Sequence, residues 1–329
     1  MPLEVIYVTR HGFRSNWLVD PQNGNYSNYI KSPTGLAADP ALTAHGVDQA
    51  NELAARLLRV DPPIDRVYSS LYYRCLQTIE PFVRKASATP SGMPQRVRGE
   101  TGLGEWYGSA DFEHPVPASP EVLGPLFPGL LEPGYTPAIT PNRMGEGIDE
   151  LHDRVAATME ALIAECDRDG VRAILLCSHA AVIIALGRVL TGQMPDNFEV
   201  EDFRCFTAGL SVYRRRQGPG AESWGKGGNH VMVSAASDAR NGDQAKDAGA
   251  RSSSNWRAGR GVAGGWDCEL NSDCSHLSLG EERGWRFSGD ESFRDLPAGP
   301  SILHSGTQSG VSGTSKDPGR RAKDSRSKL

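Results

Sequence analysis

Apolar positions along this chain follow two rhythms in turn, and their alternation predicts an α/β fold. Val5-Ile6-Tyr7-Val8 is a β-branched and aromatic run that reads as a buried first strand. Val47, Ala50, Ala54, Leu57 and Leu58 then recur at helical spacing behind Thr43, a suitable N-cap, and Pro62-Pro63 closes that helix. Ile64 to Tyr68 reads as a short strand ended by Ser69-Ser70. A second helix follows from about Leu71, with Tyr72, Cys75, Ile79, Phe82 and Val83 on its apolar face, and Arg84 to Arg98 holds a loop and a short edge strand. Ile148, Leu151, Val155, Met159 and Leu162 mark a further amphipathic helix ending near Asp169-Gly170. The run Val171 to Cys177, apolar apart from Arg172, predicts a central parallel strand, and a helix over Ala180 to Leu190 follows Ser178-His179. Cys205 to Arg214 and Val231 to Ala235 read as strands of an antiparallel edge, joined by the glycine-rich stretch Gln217 to Asn229.

The pattern fails in four places, and these set the expected organisation. Asp20 to Pro40 is rich in Asn, Gly, Pro and Tyr and reads as a surface excursion. His114 to Pro141 carries recurrent prolines without a period and reads as an insertion over the loop edge, a lid or specificity loop. Ser237 to Gly264 has almost no large apolar residues, which predicts a flexible linker over 237–264 after a main domain over 1–236. Gly265 to Leu270 and Gly284 to Phe287 alternate as strands do. A segment this short cannot build its own core, so 265–297 is expected to pack on the main domain, with 298–329 a disordered tail.

Composition narrows the function classes. The 329 residues are 38% hydrophobic and 23% charged, enough for a sizeable core. A net charge of −5 gives no general attraction to nucleic acid or acidic membranes, and no apolar run is long enough to span a bilayer. The first residues lack a signal-peptide pattern, so a reducing compartment is expected, cytoplasmic or nuclear. None of the six cysteines forms a C-x-x-C pair, which argues against structural zinc. Cys268 and Cys274 are near enough for a clip, although free thiols fit the compartment better. Ser327-Lys328-Leu329 has the form of a peroxisomal import address.

The candidate chemistry gathers where strands run out. Arg10-His11-Gly12-Phe13-Arg14 follows the first strand, and ligands of open α/β sheets bind at such ends. Guanidinium forks match phosphate geometry, and neighbouring cations depress an imidazole pKa and favour its neutral, nucleophilic form. Arg74 sits in the first turn of the second helix, able to point back towards the same edge. Glu105, between Gly104 and Trp106, is expected to be partly desolvated, which would raise its pKa and keep it protonated as a general acid. His179 lies at a second strand-to-helix junction. Taken singly, each is also readable as a solvated charge or a helix cap.

Together, R-H-G near the N-terminus, the later S-S-x-x-x-R, the glutamate of G-E-W and the late S-H-A resemble the histidine phosphatase (phosphoglycerate mutase-like) superfamily. The resemblance implies a three-layer α/β/α sandwich with a mostly parallel central sheet, no metal or other cofactor, and a phosphohistidine intermediate on His11. It implies a phosphate pocket of Arg10, Arg14, Arg74 and His179, with Glu105 as proton donor. Phe13 replaces the glutamate of the mutases' R-H-G-E, which favours a phosphatase acting on a phosphorylated substrate. A narrower resemblance, carried by R-H-G-F-R-S-N-W-L, Y-R-C-L-Q-T, G-L-G-E-W-Y and N-S-D-C-S-H-L-S-L-G-E-E-R-G-W-R-F, is to the phosphatase-like tau subunits of fungal transcription factor IIIC. It implies possible partners among subunits of that kind, but the C-terminal docking domain of those proteins has no counterpart here.

Three functions stay open on the sequence: a metal-independent phosphomonoesterase, an assembly subunit that keeps the fold without needing the activity, and a nucleic-acid module resting on Arg214-Arg215-Arg216 and the basic tail. The negative net charge weighs against the last.

Overall fold

A computed structural model describes residues 2–20, 23–28, 30–88, 96–217 and 256–287. In chain order the strands are β1 (Val5–Arg10), β2 (Trp17–Val19), β3 (Tyr26–Asn28), β4 (Arg66–Ser69), β5 (Val97–Gly99), β6 (Ala173–Ser178), β7 (Leu210–Arg215) and β8 (Trp266–Asp273). The α-helices are α1 (Ala44–Leu57), α2 (Tyr73–Ser87), α3 (Pro120–Leu126), α4 (Ile148–Asp169) and α5 (Ala180–Thr191). The main sheet runs β5-β4-β6-β1-β7-β8. Its first four strands are parallel, and β7 and β8 form an antiparallel edge.

The strand period of two places helices on both faces. Val5 and Tyr7 of β1 pack with Leu53 and Leu57 of α1 and with Cys75 and Ile79 of α2. Ile6 and Val8, pointing the other way, pack with Leu151 and Val155 of α4 and with Val182 and Leu186 of α5. The result is a three-layer α/β/α sandwich. β1 and β6 are buried along their whole length, which is why both are apolar up to their polar C-terminal ends. Truncating a central residue such as Leu176, 0% exposed, would cost about 2–5 kcal/mol. Thr43 caps α1 by accepting from Gly46 N at 3.1 Å. α4 stops where Gly170 turns left-handed, φ 72°.

The second neighbour of β7 is β8, where the sequence suggested Val231–Ala235; that stretch lies outside the described residues. β8 takes the edge because it brings Trp266, fully buried, into the cluster shared with α4 and α5. The expected linker also ends early. Trp256, 1% exposed, and Val262 join that same cluster, so the chain is packed from Trp256 onward. The rest of the linker, residues 288–297 and the tail with Ser327-Lys328-Leu329 lie outside the described residues. Gly284–Phe287 forms no strand; Phe287 and Trp285 instead pack edge-on against Trp106, at ring separations of 5.5 and 6.3 Å. The proline-rich insertion contains the short helix α3, opened by Pro120 in its first turn.

Arg214, Arg215 and Arg216 bond Glu269, Asp167 and Asp267, so none offers a free guanidinium to a polyanion. All six cysteines are free thiols. Among the described residues no helix is long and apolar enough to cross a membrane.

Candidate active site

β1 and β6 are parallel neighbours, with Arg10 opposite Ser178, so their C-terminal ends deliver His11 and His179 side by side. The rings lie 5.5 Å apart, and His11 N donates to Ser178 O at 3.0 Å. Gly12 is not at a positive φ. Its requirement is space: a Cβ there would lie 2.8 Å from Gly46 O, where α1 begins against the loop. Arg74, in the first turn of α2, reaches back and is completely buried. Its Nη2 donates to Glu105 Oε2 at 3.0 Å and lies 3.1 Å from His179 Nδ1, while Nη1 donates to Asp39 Oδ1 at 3.0 Å. Ser70, just past β4, stands 2.8 Å from His179 Nε2. The turn carrying Glu105 is held from α4, where Arg154 donates to Gly102 O at 2.7 Å and Gly104 O at 3.2 Å.

All six residues singled out from the sequence converge here. Arg10, His11, Arg14 and Glu105 line a cavity of about 380 Å³ with Trp17, Tyr26, Tyr107 and Trp285 among its other walls. Arg74 and His179 stand behind Glu105, bonded to it. The Arg14 guanidinium stacks 3.8 Å from the Trp17 ring centroid. Sequence reasoning missed Asp39, Ser70, Trp17 and Tyr107. Asp39 in particular lies within a stretch read as surface, yet it is 0% exposed and balances Arg74. No periodicity marks it; the buried arginine that needs it was the available signal.

Burial, then Arg74, Arg10 and Arg14, push His11 well below the usual 6.5, so its imidazole is neutral at pH 7. His11 Nδ1 is 2.9 Å from Gly12 O; donation there leaves Nε2 as the unprotonated nitrogen. Burial and Arg74 lower Arg14 to about 9, still charged at neutral pH. Burial opposes the charges of Arg74 and His179, but Asp39 and Glu105 outweigh it for Arg74, and Cys75 and Glu105 for His179; both are raised. Glu105 corrects an expectation. Burial does raise its pKa, but His179, Arg74 and Arg14 more than reverse this and hold the carboxyl ionised.

Glu105, Trp106 and Tyr107 also wall a second cavity of about 390 Å³. Its other lining is mainly apolar and comes largely from the insertion, including Pro115, Val116, Pro117, Leu131 and Tyr135. Donor atoms of His11, Glu105 and His179 lie within 4.8 Å of one another, a spacing that would suit a metal ion. Arg74 Nη2 already occupies the approach to two of the three, and Arg10 and Arg14 add positive charge, so the group suits an anion better.

The profile of the histidine phosphatase superfamily (branch 1) matches residues 6–225. The chain belongs to the histidine phosphatase superfamily. Within it, the chain is 38% identical over 196 residues to the transcription factor tau 55 kDa subunit of Saccharomyces cerevisiae, covering 58% of this chain and 42% of that protein. It is 30% identical over 213 residues to the ecdysteroid-phosphate phosphatase of Drosophila melanogaster, covering 58% of this chain and 27% of that protein. The matches thus span less than half the length of either relative. A solved structure of the ecdysone phosphate phosphatase from Bombix mori, in complex with tungstate, is 20% identical, with a TM-score of 0.47, covering 70% of this chain and 98% of that one.

Proposed function

We propose that this histidine phosphatase superfamily chain is a metal-independent phosphomonoesterase acting through a phosphohistidine on His11. The observation that carries the reading is a neutral imidazole, its Nδ1 tied to Gly12 O, in the wall of a cavity it shares with Arg10 and Arg14. Arg10, Arg14, Arg74 and His179 bind the phosphoryl oxygens and neutralise charge that spreads over them in flight. The Nε2 lone pair of His11 forms the N–P bond as the ester P–O bond breaks, and the leaving oxygen takes a proton from Glu105. Water then attacks phosphorus and loses a proton to Glu105, and the N–P electrons return to Nε2.

His179, Arg74 and Arg14 hold Glu105 ionised, so in this scheme its proton arrives with the substrate. A phosphate monoester near pH 6 is partly monoanionic and carries one. Phosphoryl oxygens that draw Arg74 away from Glu105 and place negative charge beside it raise the carboxyl, which allows it to hold that proton. The test is brief incubation with a ³²P-phosphomonoester and a quench. Label should stay on the wild-type protein in an acid-labile, alkali-stable linkage, and a chelator should change nothing. Turnover that needs a divalent ion would refute the scheme.

The 38% identity to the tau 55 kDa subunit favours a second reading, in which the fold serves a transcription factor assembly and turnover is incidental. Copurification with RNA polymerase III factors, together with no turnover of a broad phosphomonoester panel, would favour it over the first.

A further inference from the structure

The family match ends at residue 225, but the phosphate site does not. The segment Glu281–Phe287 returns across the loop that carries Arg10, His11 and Arg14. Arg10 Nη1 donates to two carbonyls, Cys205 O at 2.7 Å and Arg283 O at a still closer approach. The segment is itself anchored. Glu282 Oε2 accepts from Gln49 Nε2 at 2.7 Å and lies 2.5 Å from His45 Nε2, and Thr207 N donates to Glu282 O at 3.1 Å. Gln49 passes the anchorage on, because its Oε1 accepts from Phe13 N at 2.8 Å inside the same loop. The Arg283 guanidinium lies 4.0 Å from the Phe13 ring centroid and donates to Asn16 Oδ1 at 2.7 Å. Trp285 then forms part of the cavity wall. Arg283 makes these contacts from φ 50°, a left-handed conformation that a non-glycine residue holds only when its surroundings fix it.

We propose that Glu282–Trp285 is a positioning strap for the phosphate site, with Glu282 as its anchor and the Arg283 carbonyl as the stop that aims the Arg10 guanidinium. The proposal rests on the reading of Arg10 as a phosphate ligand. Arg10 is buried, and its charge finds no carboxylate within salt-bridge distance among the described residues; two carbonyls hold it instead. Carbonyls orient a guanidinium without neutralising it, so the charge stays available to an anion. Removing the anchor frees the strap, and with it the second carbonyl and the Gln49 relay to Phe13. A small displacement of such a group weakens binding disproportionately.

The test measures inorganic phosphate binding by calorimetry, alongside kcat and KM on a small phosphomonoester. Glu282→Ala should weaken phosphate binding roughly tenfold with little change in melting temperature, and Glu282→Gln, which keeps one acceptor oxygen, should fall between it and wild type. Glu52→Ala is the control: Glu52 ties the same chain at Ser278, away from Arg10. It should leave phosphate binding unchanged. Wild-type phosphate affinity in Glu282→Ala, or an equal loss in Glu52→Ala, would overturn the strap. Should Glu282→Ala fail to fold, Glu282→Gln decides: an affinity below wild type supports the strap and wild-type affinity overturns it. Because binding is read without turnover, a protein that binds phosphate through an intact strap but hydrolyses nothing would sink the proposed reaction and leave the strap standing.

Discussion

The two cavities that meet at Glu105, Trp106 and Tyr107 are nearly equal in volume, about 380 and 390 Å³, and opposite in construction. One is built around the end of β1, with His11 between Arg10 and Arg14, and is closed by Ala180 and Ala181 at the start of α5. The other is apolar and assembled largely from the proline-rich insertion. Their contrast separates two jobs. Residues at strand ends inherit their positions from the sheet, so they can hold reacting atoms to fractions of an ångström. An insertion can vary without disturbing the sheet, so it suits the choice of leaving group. The charged cavity would then accept the phosphoryl group and the apolar one the rest of the ester.

The sharpest way to break this division is at His11. His11→Ala should abolish covalent labelling and lower turnover by about 10³-fold or more, since no other side chain lining that cavity offers a comparable nucleophile. Labelling that survives would move the chemistry elsewhere. Arg74→Ala should lower kcat by about 10²–10³-fold, because it removes the cation bonded to Glu105 and leaves Asp39 buried without its partner. A smaller loss is expected for Glu105→Gln with nitrophenyl-type leaving groups, rising to about 10²–10⁴-fold for alkyl esters that need protonation. Equal losses on both ester types would remove Glu105 from the proton-donor role.

The pH profile sharpens the electrostatic side of the comparison. Acid disables the nucleophile by protonating Nε2, so kcat/KM falls as pH drops through the His11 pKa. Burial and three arginines hold that pKa well below 6.5, so the acid limb should begin below pH 6.5. A limb centred above 6.5 would mean that the imidazole is not held neutral. The smallest effect belongs to the apolar cavity. Leu131→Ala should change the ratio of kcat/KM for bulky apolar esters over small ones by up to about tenfold, with kcat on the small ester unchanged. An equal effect on both esters would separate that cavity from substrate choice.

The same division decides how much was readable in the sequence. β1 and β6 each open on an apolar run, Val5–Val8 and Ala173–Cys177, and the polar residues that follow it have few places to go; hence Arg10, His11 and His179 were singled out. Arg74 followed from its place in the first turn of α2. Glu105 was located correctly, but its ionisation depends on Arg74 and His179 arriving from other elements, and no local pattern encodes that. Asp39 and Ser70 escaped for the same reason: each is defined by the buried partner it satisfies. The strap was harder still, since its decisive atom is a backbone carbonyl, which any residue type supplies. The antiparallel edge was expected, and β8 supplies it beside β7; the segment the sequence suggested for it, Val231–Ala235, lies outside the described residues.

β8 reaches the sheet from far downstream of β7, and this orders events during translation. β7 leaves the ribosome with its outer edge unpaired, and Trp106 leaves with its aromatic cover still to be made. Until Trp256, Trp266 and Phe287 emerge, the nascent domain carries both histidines and both halves of the parallel sheet, yet has an open strand edge and an unsealed apolar face. A fragment cut at residue 225, where the family match stops, would preserve that state permanently and should precipitate rather than fold.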